Sequence, residues 1–328
     1  MGIYKQFQRL FQMGRAFRKG TTVLPYFPSR IWIELTDHCN LKCPLCPNQD
    51  LLPETKGFIS PKLFQNILDQ VRGRVHDLYL FHRGESLLHP RAVELIQSAQ
   101  NLGIPCRLHT NATLLSPALS GRILDSGLEM LSFSFDGYLP AHYEINRYPA
   151  KFEATLEKIK TFLNLKIKSG QRKPLTVLQI MGAGENRSDP VLKNFLTPLK
   201  SLGLDRVVFR QPHNWGGAVP SLPGENETGE GPLFACTFPW YALVIFWTGQ
   251  VSPCPQDFFG RLEVGDLGKK SIEEIWNGPE MQSLRERISQ KAYSDLRPCR
   301  ECDRPRRKTL AGVPREYFRT FLKENMRR

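Results

Sequence analysis

The sequence predicts an α/β fold, a partial (β/α)6 TIM-like barrel followed by a small α+β cysteine-rich domain. Six apolar, strand-like segments alternate with helix-like segments between residues 30 and 210. Alternation at this spacing indicates parallel strands joined by right-handed crossovers. Residues 216–232, rich in glycine and proline, break the pattern, and four of the eight cysteines follow them. We therefore expect a large barrel, a linker and a second domain.

The predicted elements follow from apolar periodicity and turn signals. The strands are expected at residues 30–35, 77–81, 106–109, 130–135, 175–181 and 206–210. Helical spacing of apolar residues predicts helices over residues 60–71, 90–102, 117–126, 151–167 and 190–202. Beyond the linker, residues 241–252 predict a hairpin that turns at Thr248-Gly249, and Ser271 with Glu274 forms a capping box at a helix start.

Composition limits the class of protein. A chain of 328 residues that is 41% hydrophobic can build a real core. Eight cysteines at short spacings indicate metal ligation in a reducing compartment rather than a secreted disulfide scaffold. No apolar run approaches the ~20 residues of a membrane-spanning helix, and the first residues lack the features of a signal peptide. We expect a cytoplasmic protein.

The net charge of +13 resides mostly at the two ends of the chain. Residues 1–24 predict a basic amphipathic helix, in which residues 1–20 carry five basic side chains and no acidic one. Its apolar positions are Ile3, Phe7, Leu10, Phe11 and Phe17. Such a helix suits an anionic membrane surface at the inner face, but it equally suits packing on the barrel as an ordinary terminal helix.

Cys39, Cys43 and Cys46 come directly after the first strand, where a β/α barrel places its functional loops. Three thiolates on a short loop can hold three irons of a four-iron, four-sulfur cluster and leave the fourth iron without a protein ligand. An open metal position distinguishes a substrate-binding site from a structural one. Zinc also accepts closely spaced cysteines, so the spacing alone leaves a zinc site open.

Short motifs follow the next strands in order. Gly84-Glu85 comes after the second strand, Thr110-Asn111-Ala112 after the third, and Ser132, Ser134 and Asp136-Gly137 along and after the fourth. With the cysteine spacing, this order resembles the radical S-adenosylmethionine (SAM) superfamily. The resemblance implies that Glu85, beside Gly84, binds the SAM amino group, that Ser134 contacts the ribose, and that Asn111 and Asp136 also bind the cofactor. Asp136 could instead only cap the following turn.

The chain departs from the family pattern at two positions. Ala112 stands where the family has the glycine of Thr-Asn-Gly, and Leu45 stands where many relatives carry an aromatic residue against the adenine. Base stacking is therefore not predicted in detail. The remaining early cysteine, Cys106, sits inside an apolar strand and is interpreted as a small buried side chain.

A second group of cysteines lies in the C-terminal part, at Cys236, Cys254, Cys299 and Cys302. Together with Gly265-Asp266-Leu267 and the helix after Ser271, these residues resemble the SPASM/twitch extension of radical SAM enzymes. The resemblance implies a second, auxiliary [4Fe-4S] cluster with four cysteine ligands and no open iron, suited to electron transfer or to support of the substrate pocket. A four-cysteine zinc site that only staples the domain remains the alternative.

The resemblance also divides the chain and implies a function. The division is a helix at 1–24, a radical SAM barrel at 25–215, a linker at 216–232, a SPASM/twitch domain at 233–305 and a basic tail at 306–328. The implied enzyme cleaves SAM reductively to a 5′-deoxyadenosyl radical that abstracts hydrogen, with reduced flavodoxin or ferredoxin as electron donor. We expect it to oxidise or rearrange a small polar or glycosyl substrate, because relatives with one auxiliary cluster include enzymes that oxidise a secondary alcohol.

Three other functions stay open at this point. The first is a peptide-modifying maturase, weakened because only about thirty residues precede the first strand. The others are a non-enzymatic iron-sulfur electron carrier and a zinc-dependent nucleic-acid-binding protein, although nucleic acid is not a favoured partner. For the substrate pocket we predict Arg210 as the catalytic or orienting residue, accompanied by His213, Asn214 and Trp215 after the sixth strand.

Overall fold

The computed structural model describes residues 3–181, 188–220, 233–310, 313–314 and 318. Two compact units divide the chain. The parallel-sheet unit comprises residues 33–73 and 77–212, and the cysteine unit comprises residues 1–32, 74–76 and 213–328. The predicted boundary at residues 24/25 stays a prediction, and residues 221–232 of the predicted linker lie outside the described part.

The parallel-sheet unit contains five consecutive parallel strands in the order β6-β5-β4-β3-β2. These strands are β2 (Asp77–Tyr79), β3 (Cys106–Thr110), β4 (Met130–Ser134), β5 (Leu175–Met181) and β6 (Arg206–Arg210). A further strand, β1 (Arg30–Ile33), runs across the boundary of the two units. The predicted alternating α/β fold with six strands is thereby confirmed.

Helices separate the strands along the chain: α2 (Pro61–Val71), α3 (Ala92–Asn101), α4 (Pro117–Leu124), α5 (Pro140–Asn146), α6 (Phe152–Lys168) and α7 (Pro190–Ser201). The amphipathic pattern explains their packing. In α2, for example, Phe64, Ile67, Leu68 and Val71 are buried at helical spacing, and the Ser60 side chain caps the first turn by accepting from the Leu63 N–H.

The cysteine unit contains α1 (Ile3–Arg18), the hairpin β7 (Ala242–Ile245) and β8 (Gln250–Ser252), the short strand β9 (Gly265–Asp266), helices α8 (Ile272–Trp276) and α9 (Pro279–Ser289), and the pair β10 (Thr309–Leu310) and β11 (Val313–Pro314). The predicted hairpin is present as an antiparallel pair. The predicted capping box is present as well, with Ser271 and Glu274 satisfying each other's backbone N–H groups.

A buried arginine joins the early and late segments of the cysteine unit. Arg285 of α9 is fully buried and donates to three carbonyl oxygens, those of Pro239 at 2.9 Å, Thr22 at 2.6 Å and Trp276 at 2.7 Å. Its guanidinium carbon lies 4.3 Å from the centre of the Trp276 ring. Residues just after α1 therefore belong to the core of the C-terminal unit, a link that no local pattern predicts.

One side of α1 packs against the protein, and other apolar side chains of the helix are exposed to solvent. Phe17 packs edge-to-face on Trp240 with ring centres 5.3 Å apart, whereas Phe7 and Phe11 are 52% and 71% exposed. Across the described residues, every helix is too short or too polar to cross a bilayer.

Candidate active site and auxiliary cysteine site

The carboxyl ends of β2 to β6 lie along one edge of the sheet because the strands are parallel. The motifs predicted from the sequence follow these ends, with Glu85 after β2, Asn111 after β3, Asp136 after β4 and Arg210 at the end of β6. This edge is where α/β enzymes build their sites.

The three cysteines after β1 are partly accessible thiols on one loop. Burial raises the pKa of Cys39 to about 11 and that of Cys46 to about 12, and the charge of Cys43 acts on both in the same direction. The thiols thus interact electrostatically, as ligands of a shared cluster must. Binding of iron to this loop has to displace their protons, because the thiolate is the metal ligand.

A buried ion pair fixes the start of this loop. Glu34 is fully buried and accepts from Arg83 Nε at 2.6 Å and from Arg83 Nη2 at 2.7 Å. Burial opposes ionisation of Glu34, but hydrogen bonds and charge from Arg83 and His82 bring its pKa down to about 2. Asn48 donates to the carbonyl oxygens of Asp37 at 2.7 Å and Arg83 at 2.9 Å. The cysteine loop is therefore tied to the segment after β2.

Gly84 lies where these two segments touch. A Cβ at this position would lie 2.5 Å from the carbonyl oxygen of Thr36 and would also collide with that of His38. Backbone oxygens cannot move aside as the tip of a flexible side chain can, so only glycine fits. The close approach lets the Glu85 N–H donate to the His38 carbonyl at 2.8 Å. Gly84 therefore brings Glu85 against the cysteine loop. The predicted contact of Gly84 and Glu85 with the cofactor stays a prediction.

Glu85 is buried and held by three donors. Its Oε1 accepts from Thr110 Oγ1 at 2.9 Å and from the Leu87 N–H at 3.1 Å, and its Oε2 accepts from the Asn111 N–H at 2.7 Å. Burial raises the pKa of this carboxyl, and the three hydrogen bonds oppose that rise. Two carboxylate oxygens offer about four acceptor positions. One position on Oε2 therefore remains for a cation such as an ammonium group.

Asn111 holds the loop after β3 in place through hydrogen bonds within the protein. Its Nδ2 donates to Asn40 Oδ1 at 2.9 Å, and its Oδ1 accepts from the Thr113 N–H at 2.9 Å. The next residue, Ala112, has φ of 64°, in the left-handed region that favours glycine. A glycine would adopt this conformation freely, whereas alanine adopts it here at a cost of ~1 kcal/mol.

Asp136 meets Arg147, a residue that sequence reasoning missed. Arg147 Nη2 lies 2.6 Å from Asp136 Oδ2, and its charge also acts on the Cys43 thiol, to which it hydrogen-bonds. Burial raises the pKa of Asp136, although Arg147 opposes the rise. The second oxygen, Asp136 Oδ1, is buried and makes no hydrogen bond with the described residues. This oxygen is an available acceptor beside the cysteine loop.

No sequence motif predicted Arg147. It follows α5, a helix of seven residues that is too short to show apolar periodicity. The only local signal of α5 is Pro140 at its first turn. Ser134, by contrast, was predicted. It ends β4, is half-buried, and pairs in register with Gln179 of β5.

The residues predicted after the sixth strand fall into both units. Arg210 ends β6 in the parallel-sheet unit, whereas His213, Asn214 and Trp215 belong to the cysteine unit. There, Asn214 donates to the Glu301 carbonyl at 2.7 Å and accepts from the Asp303 N–H at 3.2 Å. Asn214 therefore holds the C-terminal cysteine segment in place, and a substrate contact for these residues stays a prediction.

Four cysteines line one cavity of the cysteine unit, namely Cys236, Cys254, Cys299 and Cys302. Burial raises the pKa of Cys254 well above its ordinary value, and the charges of the other three thiols raise it further. Across the described residues, no group of three or more His, Cys, Asp or Glu side chains converges tightly enough to hold a single metal ion. The four thiols share the lining of one cavity, and their role as cluster ligands stays a prediction.

Basic and small residues support this cavity. Arg304, which also lines the cavity, stacks over Phe238 with 4.1 Å between the guanidinium carbon and the ring centre. Burial lowers the pKa of Arg304, but Tyr241 and the nearby thiols outweigh burial and raise it. Gly216, with φ of 62°, lies so close to Pro298 that a Cβ would come within 2.5 Å of the proline Cβ. The beginning of the predicted linker thus packs on the cysteine segment.

A family model for the radical SAM superfamily matches residues 33–196. The chain belongs to the radical SAM superfamily. A second model, the SPASM iron-sulfur cluster-binding domain, matches residues 236–303 of this radical SAM enzyme. The predicted recognition is thereby confirmed, and membership makes the protein an enzyme rather than an electron carrier or a zinc-dependent nucleic-acid-binding protein.

Curated relatives span most of the chain at low identity. A tungsten-containing aldehyde ferredoxin oxidoreductase cofactor-modifying protein of Pyrococcus furiosus is 24% identical, covering 75% of this chain and 80% of the relative. An S-adenosyl-L-methionine-dependent 2-deoxy-scyllo-inosamine dehydrogenase of Niallia circulans is 22% identical, covering 84% and 92%. A PqqA peptide cyclase of Rhizobium meliloti is 31% identical, but the match covers only 36% of this chain and 31% of the relative.

Solved structures share the fold. BtrN in complex with AdoMet and 2-DOIA matches with a TM-score of 0.60 and 17% identity, covering 89% of this chain and 98% of that chain. Streptococcus suis SuiB bound to precursor peptide SuiA matches with a TM-score of 0.64 and 15% identity, covering 86% and 72%. At these identities the likeness concerns the fold alone.

The two domains define the cofactors. The radical SAM domain implies a 4Fe-4S cluster with SAM, and the SPASM domain implies auxiliary iron-sulfur clusters, in agreement with the prediction. The donors in the structure suit both groups: three interacting thiols with Arg147 in one unit, and four thiols around one cavity in the other. The assignment of individual residues as ligands stays a prediction.

Proposed function

We propose that this enzyme oxidises a secondary alcohol on a small polar or glycosyl substrate, with a sugar-like polyhydroxylated ring as the preferred class. The observation that carries the proposal is the four-cysteine cavity. Four thiolates would saturate a single cluster, which then has no open iron for substrate and is suited to accept the second electron of an oxidation. Similarity to a 2-deoxy-scyllo-inosamine dehydrogenase over 84% of the chain supports the same choice.

The chain's own residues take distinct parts in this reaction. Cys39, Cys43 and Cys46 would hold the first cluster. The open acceptor position of Glu85 receives the ammonium group of SAM, and Asp136 Oδ1, which lacks a partner among the described residues, accepts from a cofactor hydroxyl. Arg147 balances the negative charge of the thiolate-bound cluster. When bound by these residues, the cluster and SAM would together supply a 5′-deoxyadenosyl radical on one-electron reduction.

We further propose that reduced flavodoxin or ferredoxin delivers this electron, and that Arg210 orients the substrate. Arg210 lies at the carboxyl end of β6. The predicted SAM-binding motifs follow the carboxyl ends of β2, β3 and β4, at the same edge of the sheet. A guanidinium group at that edge can bind a hydroxyl or an anionic substituent.

The test is anaerobic reconstitution followed by iron and sulfide quantitation and a reaction under reductant. Ring-deuterated 2-deoxy-scyllo-inosamine, scyllo-inositol and a panel of simple sugars are incubated with SAM. We expect one or more of them to transfer deuterium into 5′-deoxyadenosine and to yield a ketone. SAM cleavage without transfer from any of these polyols would refute the proposed substrate class while retaining radical generation.

A peptide-modifying maturase is the second candidate. The TM-score with peptide-bound SuiB, 0.64, is slightly higher than the TM-score with BtrN, 0.60. Deuterium transfer from a ring-deuterated polyol favours the dehydrogenase. A mass loss in a supplied precursor peptide, with no transfer from polyols, favours the maturase.

We also propose that α1 places the enzyme at an anionic membrane surface. Phe7, Phe11, Arg15 and Arg18 follow one another at spacings of four, four and three residues, so they form one stripe, and all four side chains are exposed. Leu10 and Phe17 face the protein instead, where they line a cavity of about 170 Å³ with Trp240. Packing on the protein and exposure of apolar side chains thus coexist on this helix.

A further inference from the structure

A polar group of side chains lies on the sheet next to the candidate SAM site. Two of its members, His109 and Gln179, belong to no predicted motif, and the third, Ser132, lies in the predicted motif of the fourth strand. His109 of β3 pairs in register with Ser132 of β4, and Gln179 of β5 pairs with Ser134, two residues further along β4. Register partners and alternate residues of parallel strands share one face of the sheet. His109, Ser132 and Gln179 therefore share a face.

This face is the one opposite the helical layer at β4. Phe133, between Ser132 and Ser134, packs against Phe162 of α6 with ring centres 5.7 Å apart. Ser132 and Ser134 consequently point away from α6. His109, Ser134 and Gln179 are all half-buried, so this side of the sheet remains partly accessible.

The imidazole of His109 is held in a defined orientation. The Phe81 ring stacks on it with centres 3.9 Å apart and 14° between the planes. Gln179 Nε2 lies 3.2 Å from His109 Nδ1 and 3.4 Å from Nε2. A half-turn of the carboxamide exchanges its nitrogen for its oxygen. With the oxygen toward the ring, the amide accepts the imidazole N–H and leaves the other ring nitrogen to accept a proton.

The charges around His109 keep the ring neutral. Burial, together with the positive charges of Arg210 and Arg107, holds its pKa well below the ordinary value. Arg107 is itself paired with Asp77, at 2.8 Å. The uncharged neighbours are Tyr79 at the end of β2, Phe81 two residues later, Ser132 on β4 and Gln179 on β5. At neutral pH the imidazole is therefore unprotonated, and the ring nitrogen that carries no hydrogen can accept a hydrogen bond from a hydroxyl group.

Ser132 is an independent indication of a ligand. Its side chain is fully buried, and its Oγ makes no hydrogen bond with any described residue. A buried hydroxyl without a partner costs about 1–3 kcal/mol, so such groups ordinarily have one. In register with His109, this hydroxyl can bind an oxygen of a substrate that also reaches the imidazole.

The group is joined to the SAM-binding residues through β3. Thr110, the residue after His109, donates to Glu85 Oε1 at 2.9 Å, and Asn111 donates to Glu85 Oε2 at 2.7 Å. His109 therefore lies one residue from the anchor of the proposed SAM amino-group site, on the strand that carries it.

We propose that His109, Ser132 and Gln179 bind the reacting hydroxyl of the substrate and that His109 accepts its proton. The proposal rests on the proposed alcohol oxidation. In the balanced step, the hydrogen atom of the carbinol C–H bond passes to the 5′-deoxyadenosyl carbon. The O–H proton passes to the imidazole, the remaining electron passes to the auxiliary iron-sulfur cluster as oxidant, and the C–O single bond becomes a carbonyl.

The test compares His109→Gln with His142→Gln, a matched control at an exposed histidine of α5. Both reconstituted variants and the parent enzyme receive the ring-deuterated polyols. We expect His109→Gln to keep deuterium transfer into 5′-deoxyadenosine while the ketone formed per 5′-deoxyadenosine falls on the order of 100-fold, the size of a lost general base. The control keeps the parental ratio.

A binding measurement that needs no turnover accompanies this comparison. Titration calorimetry with the polyol that reacts, in the presence of SAM and without reductant, should show about a fivefold weaker Kd for Ser132→Ala, as expected for one lost hydrogen bond. Circular dichroism and SAM affinity equal to those of the parent establish that both variants are folded.

The outcomes separate the two levels of the proposal. A parental ketone ratio in His109→Gln overturns the role of His109 and leaves the alcohol oxidation intact. An unchanged Kd in Ser132→Ala overturns the binding site at this face. Absence of deuterium transfer from every polyol in the parent enzyme overturns the oxidation and, with it, this inference.

Discussion

Glu85 combines a structural and a cofactor-binding task in one carboxylate. Three hydrogen bonds from Thr110, Leu87 and Asn111 consume most of its acceptor capacity and fix its orientation. The position that remains faces no described donor, which is what an incoming ammonium group requires. The sequence predicted this residue from a two-residue motif, but two of its three donors, Thr110 and Asn111, come from the end of β3 and the residue after it.

We predict that Glu85→Gln weakens SAM binding by about tenfold or more. A charge-assisted hydrogen bond is lost, and the new amide nitrogen opposes at least one of the three N–H or O–H donors. Equilibrium binding of SAM to the reconstituted protein measures the change, with Glu94→Gln at an exposed position of α3 as the control. An SAM affinity equal to that of the parent would remove Glu85 from the site.

Gly84 offers a second prediction at this scale. Gly84→Ala should lower the midpoint of thermal unfolding and the iron content, because its Cβ would meet the backbone oxygens of Thr36 and His38. Gly121→Ala, in the middle of α4 with nothing within 4 Å of the new Cβ, is the matched control and should be neutral or stabilising by ~0.5–1 kcal/mol. Equal midpoints for the two variants would contradict the close approach.

At the scale of elements, apolar periodicity predicted the strands and the long helices well. Strands β3, β5 and β6 agree with the predicted segments to within one residue. The differences have local causes. The first strand ends at Ile33, one residue before Glu34, whose side chain turns to Arg83, and α5 is too short to register as a period. Periodicity reports burial of a face, so it cannot foresee an element defined by a few specific contacts.

The prediction at the scale of elements concerns binding of α1 to an anionic membrane. We expect the parent protein to float with anionic liposomes at low salt and the double variant Phe7→Ser, Phe11→Ser to lose this binding, because two inserted aromatic side chains are removed. Phe17 and its contact with Trp240 are left intact. Rising salt should weaken binding of the parent, since Arg15 and Arg18 contribute through screened charges.

The control for this experiment is the double variant Ile145→Ser, Ile167→Ser. These side chains are 65% and 53% exposed, comparable to Phe7 and Phe11, but they lie on α5 and α6. If the parent does not bind anionic vesicles at low salt, or if both double variants lose binding equally, α1 is not a membrane-binding helix.

At the scale of the whole molecule, the two groups of cysteines belong to different compact units. Spacing and motifs in the sequence separated the groups correctly. They did not foresee that the first thirty-two residues join the C-terminal unit, because that link depends on Arg285 and two tryptophans whose partners are backbone carbonyls far away in the chain. Any residue supplies a carbonyl, so no pattern marks the partner.

Separate units predict separable clusters. The triple variant Cys39→Ala, Cys43→Ala, Cys46→Ala should lose SAM cleavage and about half of the iron, while the signal of the auxiliary cluster persists in electron paramagnetic resonance. Cys106→Ala, at a buried thiol inside β3, should keep both the iron content and SAM cleavage. Parental formation of 5′-deoxyadenosine by the triple variant would refute the assignment of the first cluster.

The carbonyl of Thr22 and the guanidinium of Arg285 are 263 positions apart. At a synthesis rate of ~5–20 residues per second, roughly 10–50 s therefore pass between the synthesis of Thr22 and the synthesis of Arg285. All of the parallel-sheet unit is made in that interval. A nascent chain can thus complete its first folding unit while α1 and the segment after it still wait for their partners, with Phe17 as well as Phe7 and Phe11 open to chaperones or to a lipid surface. Conditions that slow translation would lengthen this exposure.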